Sequence, residues 1–272
     1  MMDHEFRLDK YLARIGHSGP VAADLATLKA LQTAHLAAIP FEAIDPLLRR
    51  PVKLDLTSIQ AKLVEGSRGG YCYEHNLLLR AALQAIGFEV TGLGGRVRWM
   101  SPPGSPLGPK THMLLKVDLA DGAYLVDAGF GACLLDAPLQ FKTDIEQTTV
   151  LGTYRLTETD GLLWLNAKRD GSWRAMYVFD LHPQLQADYE LGNWFTSTNS
   201  TIPLTTRLIV ERLSGNRRIR LVDRALTLEA RDGELTKERT LANAGELDDV
   251  LRETFGITPP VPPEDIFRRT GG

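Results

Sequence analysis

The segment Arg68-Gly69-Gly70-Tyr71-Cys72-Tyr73-Glu74-His75-Asn76 places a cysteine just after a pair of glycines and at the head of the run LLLRAALQAIG. Two glycines permit a tight turn and a close backbone approach. The amphipathic run predicts a helix from about Tyr71 to Ile86, with Gly87 at its C-terminal end. Cys72 then sits at a helix N-terminus, where unpaired N–H groups favour an anion. Thiols so placed ionise more readily, which makes them nucleophiles. The same N–H groups can hold the oxyanion of a tetrahedral intermediate. The competing reading is a small, buried, apolar cysteine, since free cysteine is among the most buried residue types.

A nucleophilic cysteine needs a base, and the base needs an orienting group. His4 and His17 lie near a terminus and in a turn, and His35 falls on an Ala/Leu-rich helix where a structural role fits better. His75 is three residues from Cys72 on the same helix. His112 begins a predicted strand directly after a proline- and glycine-rich loop, the kind of position that displays catalytic groups. On the residues alone, both remain candidates. Asp127 ends the apolar run Tyr124-Leu125-Val126 and is a candidate orienter. A two-residue turn at Asp121-Gly122 would pair Lys116 with Asp127 and set His112 and Asp127 on one sheet face. Four residues of strand are about 13 Å, so contact between the two requires a bulge, strong curvature or another register.

The elements that must carry these groups change character along the chain. Leu8, Tyr11, Leu12 and Ile15 share one helical face, and Leu25, Leu28 and Leu31 make a second stripe. Asp55 is placed to cap a third helix with Leu56, Ile59 and Leu63 on one face, and Gly66 to stop it. After Gly87 the apolar period shifts from helical to alternating. Strands are predicted over 88–91, 95–99, 112–119 and 123–127, then around Tyr154, Trp164 and 173–179. Residues 101–110 read as a loop. Strands over 207–213, 218–223, 225–230 and 235–240, with a turn at Asp232-Gly233, precede a short helix over 246–255. The tail PPVPPED reads as stiff and extended. Helices, then strands, then a mixed segment predict an α+β fold with two or three subdomains.

Composition narrows the class. The 272 residues are 43% hydrophobic and 24% charged, ordinary globular usage. Thirty-one basic against 34 acidic residues leave a net charge of −3, without the basic excess of a nucleic-acid binder. No apolar run approaches the roughly 18 residues that span a bilayer. The first residues are charged throughout, unlike a secretory signal. Two cysteines, Cys72 and Cys133, make no disulfide framework and point to a reducing compartment. A soluble cytoplasmic enzyme, with no nucleic-acid or membrane partner, is the expectation.

The motif around Cys72 resembles the RGGxCxExN signature of the arylamine N-acetyltransferase family, in its prokaryotic form. Ile39-Pro40-Phe41-Glu42 is similar to the family's IPFEN segment, and Gly95-Arg96-Val97-Arg98-Trp99 to its GRV-x-W strand. Thr111-His112-Met113, Val126-Asp127-Ala128-Gly129-Phe130-Gly131 and Asn193-Trp194-Phe195-Thr196-Ser197-Thr198 resemble three further family segments, in family order. The resemblance implies a cysteine-protease-like core in which Cys72 is the nucleophile, His112 the base and Asp127 the orienter. It implies a helical bundle over 1–87, a β-barrel over 88–192, an interdomain segment over 193–206 and an α/β lid over 207–272. It further implies acetyl-CoA as co-substrate without a metal, and ping-pong transfer through an acetyl-cysteine thioester to arylamines, arylhydrazines or hydrazides, the chemistry of xenobiotic metabolism. Phe41, Val97, Trp99, Phe130 and Leu204 are then expected to line a slot for a flat acceptor. Two positions depart from the pattern: Ala43 replaces the Asn of IPFEN, and Leu204 stands where the family has a pocket phenylalanine.

Other readings use the same residues. A thiol hydrolase or transglutaminase-like enzyme, or an amide synthase of the same family, would share the acyl-cysteine and differ in the acceptor. A binding protein would keep the three side chains only as packing. A zinc site drawn from Cys72, His75, His112 and Cys133 fits no standard ligand spacing.

Overall fold

The computed structural model describes residues 6–102 and 104–271; the charged start through Glu5, with His4, Pro103 of the predicted loop, and Gly272 lie outside the described residues. Helices come first: α1 (Leu8–Arg14), α2 (Leu25–Ala38), α3 (Ile44–Leu47), α4 (Leu56–Ile59, continued as a π turn to Glu65) and α5 (Cys72–Ile86), interrupted by the short strand β1 (Phe41–Glu42). Asp24 and Asp55 cap α2 and α4, accepting from the Thr27 and Ser58 N–H groups at 2.8 and 2.9 Å. Gly87, at φ 107°, ends α5 in the left-handed conformation that a side chain disfavours.

Eight antiparallel strands follow: β2 (Glu89–Val97), β3 (His112–Leu119), β4 (Gly122–Val126), β5 (Leu139–Gln140), β6 (Gln147–Thr148), β7 (Thr153–Thr159), β8 (Leu162–Arg169) and β9 (Ser172–Phe179). Their order is β5-β4-β3-β2-β9-β8-β7-β6. The two edges are tied by Gln147, whose side chain accepts from the Gln140 N–H at 2.8 Å and donates to the Gln140 carbonyl at 2.9 Å. The sheet is thereby a nearly closed barrel, which leaves little open edge. The two short strands predicted at 88–91 and 95–99 are one continuous strand. Its glycines do not break it, because the side chains of Tyr189, Gln184 and Leu114 occupy the space over Gly92, Gly94 and Gly95.

The β3–β4 hairpin corrects the simple register. Leu119 pairs with Gly122 and Lys116 with Leu125, so the turn is Ala120-Asp121. Gly122, at φ 133°, is already the first residue of the return strand. Moving the turn centre by one residue moves the pairing by two. Continuing this register sets Asp127 opposite Leu114, and His112 is then about 7 Å along the strand rather than about 13 Å. Two other Asp-Gly pairs, Asp160-Gly161 and Asp170-Gly171, have positive φ at both residues and form the two-residue hairpin turns that an Asp-Gly pair favours.

Helix α6 (Gln186–Thr198) leads to the last unit, so the expected boundary between 192 and 193 falls inside a helix. Strands β10 (Ile209–Ser214), β11 (Arg217–Val222), β12 (Ala225–Glu229) and β13 (Leu235–Thr240) form a second sheet, with β1 paired to β10 at its edge. One face is covered by α7 (Ala244–Asp249), its π extension to Thr254 and α8 (Pro263–Phe267) around Leu221, Leu247, Leu251 and Phe255. The tail expected to be extended throughout starts α8 at Pro263, since proline is well tolerated at the first helical position. Among the described residues, no helix is long and apolar enough to cross a membrane.

Candidate active site

Cys72 is the first residue of α5, and the turn before it is held by buried charge. Arg68 donates from Nε to Glu42 Oε1 at 2.7 Å and lies 3.1 Å from Asp45 Oδ2. Lys62 bridges Asp45 and Glu74, both at 2.8 Å. Glu74 in turn accepts from the Tyr71 N–H at 3.1 Å, one residue before the cysteine. The alternating charges of Glu42, Asp45, Lys62, Arg68 and Glu74 pair one another, and removing one member would strand its neighbour at a cost of about 3–5 kcal/mol. Neither Gly69 nor Gly70 has a positive φ. They serve close approach instead: a side chain at Gly69 would strike the Pro40 carbonyl, and one at Gly70 would lie 2.7 Å from Glu74 Oε2.

His112, at the start of β3, lies with Nε2 2.7 Å from Asp127 Oδ2. That leaves Nδ1 for the cysteine. Cys72 Sγ is 3.8 Å from the carbonyl oxygen of Thr111, the residue before His112. Cys72, His112 and Asp127 are all buried, at 5, 3 and 0% exposure. Burial alone would lower the His112 pKa, but the charge and hydrogen bond of Asp127, helped by the Cys72 thiol, push it up to about 10. Burial alone would raise the Asp127 pKa, but His112, Asn76 and the Gly129 N–H hold it below its ordinary value.

Asn76 carries a positioning duty that its place in the sequence did not reveal. From α5 it donates to Asp127 Oδ1 at 3.0 Å and to the Met113 carbonyl at 2.7 Å, and accepts from the Ala128 N–H at 3.0 Å. It therefore ties the nucleophile helix to β3, which begins at His112, and to the segment just after β4 that holds Asp127. Gly129 completes the seat: its N–H bonds Asp127 Oδ1 at 2.8 Å, and any side chain on it would collide with the Cys72 backbone.

His75, the other candidate base, is occupied elsewhere. Its Nδ1 is 2.7 Å from His35 Nε2 and its Nε2 3.1 Å from the Pro40 carbonyl. With both ring nitrogens engaged, it faces neither Cys72 nor a zinc ion. Among the described residues, no group of three or more His, Cys, Asp and Glu side chains is placed to hold a metal. Cys133 is buried apart, with Arg218 and Tyr154 about it, and burial raises its pKa.

The expected slot residues fall in two groups. Phe130 packs edge-on against His112, with ring centres 5.1 Å apart, and Trp99 packs edge-on against Phe130 at 6.2 Å. Val97, at the end of β2, is 40% exposed. Phe41 lies parallel to His75, at 6.4 Å and 9°, with its ring against Gly131. Half-buried Leu204 packs on the helical core that includes Phe41 and Cys72. Tyr177, absent from the expected set, packs 4.8 Å from the His112 ring.

A family model described as N-acetyltransferase matches residues 24–260. The chain is 41% identical over 253 residues to an arylamine N-acetyltransferase of Mycolicibacterium smegmatis, covering 92% of this chain and 91% of that one. It is 37% identical over 251 residues to that of Escherichia coli (strain K12), covering 92% and 88%. The fold is similar to the structure of Mycobacterium marinum arylamine N-acetyltransferase in complex with CoA, with a TM-score of 0.92, 36% identity and coverage of 98% and 100%.

Proposed function

This chain belongs to the arylamine N-acetyltransferase family, and from that premise we propose that it transfers an acetyl group from acetyl-CoA to arylamines, arylhydrazines and hydrazides through an acetyl-Cys72 intermediate. The observation that carries the mechanism is the buried His112–Asp127 pair, 2.7 Å apart, beside a cysteine at a helix N-terminus.

In the first half-reaction the Cys72 thiolate, paired with the His112 imidazolium, attacks the thioester carbonyl. The carbonyl π electrons move to oxygen, where N–H groups at the head of α5 receive the charge. Collapse breaks the carbon–sulfur bond to coenzyme A, whose thiolate takes the proton from His112. In the second half-reaction the acceptor nitrogen attacks the acetyl-cysteine carbonyl and passes a proton to neutral His112. The carbon–Sγ bond breaks, and the thiolate–imidazolium pair is restored. Asp127 fixes the tautomer that leaves Nδ1 facing the thiol and stabilises the cation. Phe41, Val97, Trp99, Phe130 and Leu204 form the acceptor slot in this reading. The chemistry needs a free thiol, which fits a reducing compartment such as the cytoplasm.

Mass spectrometry after mixing with acetyl-CoA alone tests the proposal. An added acetyl group on Cys72, released by an aminobenzoate or a hydrazide as the N-acetyl product, is the expected result. Label on Cys133, no label, or release to water at the same rate without amine overturns it; the last outcome marks a thioester hydrolase. Cys72→Ala should abolish labelling.

A further inference from the structure

Beside the proposed machinery lies a second line of polar groups that the acetyl-transfer steps do not use. Tyr11 Oη is 2.9 Å from His35 Nδ1, His35 Nε2 is 2.7 Å from His75 Nδ1, and His75 Nε2 is 3.1 Å from the Pro40 carbonyl oxygen. Tyr11, His35 and His75 are all 0% exposed. The proton positions follow from the far end. A carbonyl only accepts, so His75 Nε2 carries hydrogen. A neutral His75 then has a bare Nδ1, which accepts, so His35 Nε2 carries hydrogen. His35 Nδ1 is bare in turn, and the single Tyr11 hydrogen fills it. Every polar atom in the line is satisfied by one arrangement.

Both imidazoles must be neutral for this to hold. Burial, the first cause in each case, pushes His75 down to about 4 and His35 well below its ordinary value, with Arg14 near His35 acting in the same direction.

The line ends on the residue that precedes Phe41. His75 donates to Pro40 and lies parallel to the Phe41 ring, which also packs against Gly131. The neighbouring backbone is fixed independently by the Glu42 N–H to Gly70 carbonyl bond, 2.7 Å. We propose that Tyr11, His35 and His75 are positioning residues for acceptor choice: a one-way donor line from α1 through α2 to α5 that sets the Phe41 wall of the amine slot without touching the chemistry at Cys72. This rests on Phe41 lining that slot, as read above.

Two measurements test it. In the intact wild-type protein, long-range nitrogen–proton NMR should show both His35 and His75 as neutral Nε2–H tautomers at neutral pH; an Nδ1–H tautomer or an imidazolium at either overturns the line, whatever the enzyme acetylates. Second, His75→Leu should raise KM for a bulky arylamine about tenfold, the scale of one buried hydrogen bond. Acetyl-Cys72 formation from acetyl-CoA should stay within about twofold, and KM for a small hydrazide should change little. His75→Gln, whose amide can still donate to Pro40, should recover much of the loss. Equal falls in both half-reactions, or none, overturn the positioning role. If His75→Leu does not fold, Tyr11→Phe, which removes only the head of the line, should move the arylamine KM in the same direction, and an unchanged KM counts against the role. Absence of acetyl-Cys72 in the wild type refutes the enzymatic reading instead and leaves the tautomer result standing.

Discussion

His75 and His112 are the two candidate bases for Cys72, are both buried, and are driven in opposite directions. Around His75 burial outweighs the raising effect of the Pro40 and Gly70 carbonyls and of Asp127, so its pKa falls to about 4. His112 faces the Asp127 carboxylate, and the Coulomb attraction overrides burial and lifts it to about 10. Proximity along the chain is therefore a poor guide to which histidine serves the thiol. The surroundings favour the neutral form of the nearer ring and the cationic form of the farther one.

The contrast is broken most severely at Asp127. Asp127→Asn keeps the shape and removes the charge, so acetyl-Cys72 formation, followed by quenched-flow mass spectrometry, should fall by about 10³–10⁴-fold. A loss below tenfold would show that the carboxylate only packs.

The same contrast predicts a two-sided pH dependence of stability, read by denaturant titration. His112 has a raised folded pKa, so its contribution is full below about 6.5 and is lost as pH rises toward about 10. His75 has a lowered folded pKa, so its contribution is present above about 6.5 and is lost as pH falls toward about 4. Each arm should be on the order of a few kcal/mol. Asp127→Asn should flatten the alkaline arm and His75→Leu the acid arm. If each variant left its arm unchanged, the two histidines would not be the sources.

Asn76 joins the two sides, and Asn76→Ala should cost about 1–3 kcal/mol of stability by leaving buried partners unsatisfied. It should also slow acetyl-Cys72 formation, since Asp127 loses one of its donors. A smaller effect is expected from Leu204→Phe, which should reorder bulky against small arylamines by about 10-fold or less in kcat/KM. An unchanged ranking removes Leu204 from the slot.

Much of this was legible in local pattern. The helix from Cys72, its Gly87 end, the Asp55 cap and the β3 strand follow from short-range rules. The α+β class follows from the change of apolar period at Gly87. Other features were not legible. The Asp121-Gly122 pair resembles Asp160-Gly161 and Asp170-Gly171, yet its turn is centred one residue earlier. Nothing in the dipeptide distinguishes them. The duties of Glu42, Asp45, Lys62 and Glu74 around Arg68 depend on partners brought together from separate elements, and each alone reads as a surface charge. The Gly69-Gly70 pair permits a turn or a close approach, and only the packing shows that it leaves room for Pro40 and Glu74, as Gly129 does for Cys72.

The residue types and their spacing, by themselves, determined that a cysteine heads a helix, that a histidine begins a strand and that an aspartate ends one, because helix caps and strand periods are set within a few residues. Which histidine is charged, and how His112 and Asp127 come within 2.7 Å, was decided only by the tertiary structure. Register, burial and the charge of the facing group are properties of long-range neighbours, and a pKa is the sum of all three.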